Sequence, residues 1–182
     1  MANGTTIRTL GHGTLAVDDF VALCRSAGIG TVVDVRRYPG SRRHPHFGRE
    51  PMEAWLAEAG LGYRWLPDLG GRRSAAPDSP NVALRNAQFR GYADHMATEE
   101  FRRGCDELLE LARAASVAVM CAEAVWWRCH RRLLADHLVL IAGVTVAHVL
   151  PDGRLSPHAP TPEARSDGDH VVYVPPGTLF RT

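Results

Sequence analysis

Cys121 and Glu123 close an apolar run that begins at Val117, and they stand two residues apart. At the end of an extended strand, residues at that spacing point to the same face. Beyond them Arg128, Arg131 and Arg132 follow at helical i, i+3 and i+4 spacing, which puts three guanidinium groups on one side of a helix. A helix N-terminus already offers free N–H groups and partial positive charge, so added guanidinium forks make an anion site. The same field favours a thiolate, which marks Cys121 as a candidate nucleophile. The plainer reading of Cys121 is a small buried hydrophobe. Glu123 is either a general acid/base or one half of a structural ion pair.

Three earlier segments carry chemistry of the same kind. His12 lies between Gly11 and Gly13, where backbone can approach a ligand closely, and it suits a proton shuttle, an orienting group or a plain turn. Asp34 follows the β-branched run Thr31–Val33 and is a second general acid/base candidate, or a brace for Arg36. Arg36, Arg42, Arg43 and Arg72 punctuate two polar loops, as anion ligands or as solvated loop charges. With Arg128 and Arg132 they would hold a small anion, while Tyr92 and Trp127 contact its apolar part.

These residues need elements to position them, and the sequence supplies an alternating β/α order. Strands are predicted at Thr6–Leu10, Thr31–Val35, Tyr63–Leu66, Val117–Cys121 and Thr145–Leu150. Helices are predicted at Asp18–Ala27, Met52–Ala59, Phe89–Met96, from a Thr98 cap through Ala112, and at Trp127–Ala142. The resulting fold is a three-layer α/β domain, Rossmann-like, with a mostly parallel twisted sheet and helices on both faces. Ligands bind such sheets at the carboxyl ends of the strands, where all the candidate loops lie. This domain is expected over residues 1–150. A Pro- and Gly-rich C-terminal extension follows over 151–182, with one edge strand expected at His170–Val174.

Composition narrows the chemistry. The chain contains no lysine, which excludes Schiff-base catalysis and a lysine-bearing phosphate loop. A net charge of +1 argues against a long nucleic-acid backbone footprint. Nucleic acid nonetheless stays as the alternative partner, with the Arg rim on phosphates and Tyr38, Phe47, Trp126 and Trp127 as stacking platforms. Four cysteines do not make a secreted disulfide framework, and neither a leader nor a membrane-length apolar run is seen, so the cytoplasm and no membrane are expected. Cys121, Cys129, His130 and His12 could supply a tetrahedral metal set, yet they lack any paired-ligand spacing. No metal and no cofactor are expected.

Six ordered stretches carry a resemblance: Thr9–Thr14, Val33–Arg36, the Ser41–Phe47 loop, Leu66–Arg72, Phe89–Ala93 and Met120–Arg132. From about Thr6 to Leu150 the chain resembles the bacterial and archaeal family catalogued as domain of unknown function DUF488. Gly13 departs from the family, which usually has Ser there. The resemblance implies the same fold and a shared pocket built from these motif residues, without assigning a reaction. A looser likeness, of topology alone, is to rhodaneses and cysteine phosphatases. The expected function is an enzyme of hydrolase or transferase type, or a ligand-binding relative, acting on a small anionic molecule such as a nucleotide.

Overall fold

The structure, a computed structural model, describes residues 4–177. Apolar runs with β-branched residues make the inner strands, because a strand covered on both faces needs apolar side chains in both directions. In chain order the main elements are β1 (Thr6–Gly11), α1 (Val17–Ser26), β2 (Thr31–Asp34), α2 (Arg49–Glu58) and β3 (Gly62–Trp65). Then come α3 (Ala87–His95), α4 (Glu99–Ala114), β4 (Val117–Cys121), α5 (Arg131–Leu140) and β5 (Thr145–Val149). Three short strands complete the described chain: β6 (Leu155–Pro157), β7 (Ala164–Asp167) and β8 (His170–Tyr173).

Five strands form a parallel sheet, and β6 joins it antiparallel at the edge, in the order β3-β2-β4-β1-β5-β6. Alternation along the strands divides the core in two. Val32, Ala118 and Met120 meet Phe20, Cys24, Met52 and Leu56 of α1 and α2. Val33, Val117 and Val119 meet Tyr92, Phe101, Leu108 and Leu134 of α3, α4 and α5. These two cores make the three layers.

Local signals set most boundaries. The Thr98 hydroxyl accepts the Phe101 N–H at the start of α4, and Asn86 caps α3 in the same manner. Helix α2 begins at Arg49, before the predicted Met52, because Pro51 falls in its first turn, where its missing N–H costs nothing. The predicted Trp127–Ala142 helix does not form as one piece. A 3-10 turn, Trp126–Arg128, is followed by Cys129 in extended conformation before α5 begins. Trp126 lies flat on His148 of β5, with ring centroids 3.8 Å apart, and this pins the turn to the sheet.

The strand expected at His170–Val174 forms as β8. It is not an edge of the main sheet: it pairs with β7 in a separate hairpin whose Val171 and Tyr173 join the core under α3 and α5. The chain runs outward from β1 through β2 to β3, then returns to insert β4 between β2 and β1. Gly11 and Cys121 are register partners, as are Asp34 and Met120, so three strand ends meet at one crevice.

Candidate functional site

A cavity of about 550 Å³ occupies that crevice. His12, Arg36, Arg72, Tyr92, Cys121, Glu123 and Arg128 line it, all singled out from the sequence. Arg37, His44, Gln88, Cys129 and His130 line it too. Gly11 permits the arrangement, since a Cβ there would fall 1.9 Å from the Glu123 carbonyl oxygen of the loop crossing over it.

His12 is held by a buried chain of polar contacts. Tyr63 Oη donates to Asp34 Oδ2 at 2.7 Å. Arg36 grips the same carboxylate through Nε at 2.9 Å and Nη2 at 2.6 Å, and its backbone N–H adds a third bond. Arg36 Nη1 then donates to His12 Nε2 at 3.2 Å, which leaves the ring proton on Nδ1 to donate to the Gly13 carbonyl at 3.0 Å. Burial first, and then the Arg36 guanidinium, lower the His12 pKa to about 4. The ring also stacks on Phe47, centroids 4.0 Å apart. With both nitrogens engaged and the ring neutral, His12 is fitted to orient rather than to shuttle protons. Asp34 is fully buried behind Arg36, in the bracing arrangement weighed for it.

The thiols behave differently from expectation. Cys121 Sγ and Cys129 Sγ lie 2.7 Å apart, and both are free. Cys121 has the Glu123 carbonyl beside it, at 3.8 Å, which suits a protonated thiol. Cys129 has Arg131 Nε at 3.5 Å and His130 Nδ1 at 3.6 Å, just ahead of the first turn of α5. Burial pushes the Cys121 thiol well up, and burial opposes ionisation of Cys129 as well. The Cys121 hydrogen bond, His130 and Arg131 overcome that and bring Cys129 well below its usual range. The polar contacts thus favour ionisation at Cys129 over Cys121.

Arg131 shows the geometry behind this shift. Its side chain is 1% exposed, and among the described residues no carboxylate lies within ion-pair distance of it. Its Nη2 donates to the Glu123 carbonyl and its Nε to Cys129 Sγ. A buried guanidinium favours a negative partner, and the Cys129 sulfur is the acceptor at hand. The sequence signal was the Cys-His-Arg run ahead of a helix; only the break at Cys129 turns that sulfur toward the cavity.

Several predicted ligands lie elsewhere. Arg42 and Arg43 are exposed and do not line the cavity, whose wall on that loop is Gly40, Ser41 and His44. Arg132 turns away, its Nε donating to Thr161 Oγ1 at 3.0 Å. Trp127 is 53% exposed and packs edge-on against Trp126, outside the lining. Glu123 is exposed rather than buried at a strand end, and its carboxylate accepts the Val125 N–H at 2.9 Å instead of pairing with an arginine.

The family model described as Domain of unknown function DUF488 matches residues 16–138. The chain belongs to this family. The DUF488 match runs from just before α1 into α5, a shorter span than the Thr6–Leu150 expected, and it includes Arg36, Cys121, Cys129 and Arg131 but not His12. No match is found among curated proteins or among solved structures.

A second polar network straddles the end of the DUF488 segment. Thr9 Oγ1 meets His148 Nδ1 at 2.7 Å, His148 Nε2 meets His158 Nδ1 at 3.0 Å, and His158 Nε2 meets Asp136 Oδ1 at 2.9 Å. Tyr173 Oη and the Thr161 N–H complete the Asp136 carboxylate. It ties β1, β5, α5 and the C-terminal segment together beneath Trp126. Sequence reading missed it, because its members are scattered from Thr9 to Tyr173. Among the described residues no helix is long and apolar enough to cross a membrane.

Proposed function

We propose that this DUF488 protein is a thiol enzyme acting on a small anionic molecule held in the crevice cavity, with Cys129 as nucleophile. The observation that carries the reading is the buried Arg131, whose charge has the Cys129 sulfur as its partner on the cavity wall. A thiolate already ionised in the resting protein needs no general base to attack an electrophilic centre. That suits transferase or hydrolase chemistry through a covalent intermediate on sulfur.

The anionic character of the substrate rests on the walls. Arg37, Arg72 and Arg128 line the cavity, and among the described residues none of them is paired with a carboxylate. Arg72 adopts a left-handed backbone, φ 59°, at this rim, and its carbonyl accepts Arg37 Nη1 at 3.3 Å. The nearest acid in the lining, Glu123, is turned to its own loop. Phe89 and the exposed Tyr38 give an apolar flank to the same space.

Residue-resolved labelling with iodoacetamide tests this. Cys129 should react quickly near neutral pH, while Cys24, whose thiol burial raises to about 12, and Cys105, also raised by burial, stay protected until unfolding. Inorganic phosphate should slow the Cys129 reaction. Arg128→Ser should abolish that protection, and the exposed Arg42→Ser should leave it intact. Labelling of Cys129 no faster than that of Cys24 overturns the reading.

A further inference from the structure

The nucleophile reading leaves Cys121 without a task. A single thiolate suffices for attack, yet a second sulfur stands 2.7 Å from it on the same cavity wall. The other two cysteines show that this is not a general feature of the chain. Cys24 and Cys105 sit on the buried faces of α1 and α4, one in each core and neither in the cavity lining. Cys121 ends β4 and Cys129 precedes α5, so the two thiols reach each other across a loop that carries Trp126 and Arg128. Sulfurs this close need only a small approach to bond, and Cys121 Sγ otherwise makes a long contact of 3.8 Å to the Glu123 carbonyl.

We infer that Cys121 is a resolving thiol, and that Cys121 and Cys129 form a redox centre cycling between dithiol and disulfide with a small anionic disulfide as oxidant. This rests on Cys129 being the nucleophile. The oxidant class follows from the cavity, which is sized for a small molecule and walled by Arg37, Arg72 and Arg128. In the first step the Cys129 thiolate attacks one sulfur of the bound disulfide. That S–S bond breaks, a mixed disulfide forms on Cys129, and the first small thiolate leaves and takes a proton from water. In the second step Cys121 loses its proton to the departing second thiolate and attacks the Cys129 sulfur. The protein's thiolate and thiol have then become one S–S bond, and the small disulfide, with one proton from water and one from Cys121, has become two thiols. Arg131, beside both sulfurs, stabilises whichever carries negative charge during the exchange.

The test uses the full reduced chain and oxidised glutathione as the probe disulfide. After acid quenching and alkylation, mass spectrometry should show the wild type lighter by two hydrogens, with a Cys121–Cys129 cross-linked peptide and no lasting glutathione adduct. Cys121→Ser should stop at a glutathione adduct on Cys129, and Cys129→Ser should form neither product. A wild type that accumulates the Cys129 adduct with Cys121 still free overturns the inference. So does a wild type whose thiols both stay reduced while Cys129 still labels rapidly with iodoacetamide, in which case the nucleophile reading survives. Loss of the rapid iodoacetamide labelling as well would bring down both.

Discussion

Replacing Asp34 by Asn keeps the shape of the side chain and removes the charge that holds Arg36. The carboxylate accepts four hydrogen bonds, from Arg36 Nε, Nη2 and backbone N–H and from Tyr63 Oη. An amide keeps one accepting oxygen and turns an NH2 toward two of these donors, so at least one side of the grip is lost. Arg36 is 9% exposed and would remain with its charge uncompensated. Breaking a buried ion pair from one side costs about 3–5 kcal/mol. Tyr63→Phe, which removes one hydrogen bond to the charged group from a half-buried ring, should cost only about 1.5–3 kcal/mol. Urea unfolding of the wild type, both single variants and the double variant measures both costs and their coupling. The double variant should be less destabilised than the sum of the singles, since Tyr63 and Arg36 share one acceptor. A cost below about 1 kcal/mol for Asp34→Asn would show that this carboxylate is not the brace of the His12 chain.

Two further outcomes follow from the same geometry. His12 is depressed from 6.5 to about 4 by burial and then by Arg36, and His148 to about 3 by burial and then by His158. Both are neutral in the folded chain where the unfolded chain takes a proton, so the unfolded state binds more protons below 6.5. The stability they contribute is complete above that pH and is lost as pH falls toward 4 and below; an unfolding midpoint that stays level from pH 7 to 4.5 would contradict it. Gly11→Ala forces the Glu123 carbonyl, and with it the Arg131 contact, to move. It should destabilise by about 1–3 kcal/mol and slow Cys129 labelling together, and an unchanged labelling rate would separate that loop from the thiol.

The α/β frame was legible because its signals are local. Val117–Cys121 reads as a strand by its apolar run, and Thr98 caps a helix through a bond to a residue three positions on. The alternating β/α order also placed the loops after β1, β2 and β4 on one side, and His12, Arg36, Cys121 and Arg128 do share a cavity there. Arg42 and Arg43 lie outside the cavity lining, since sequence cannot tell which side of an irregular loop faces inward. Arg132 follows the helix: a helix from Trp127 would have carried it beside Arg128, and the break at Cys129 turns it toward Thr161.

Periodicity and residue type, then, determined the layers, the strand ends and the crevice, since backbone preference and burial act within a few neighbours. Which sulfur lies against a guanidinium was decided by tertiary structure alone. Cys121 and Cys129 are equivalent in chemistry, and the difference arises where Arg131 is buried with no carboxylate at ion-pair distance among the described residues and Cys129 lies against its guanidinium. The same holds for the His148–His158–Asp136 network, whose members come from distant parts of the chain. Charge stabilisation depends on distances of a few ångströms in a medium that excludes water, and those distances exist only after the chain has packed.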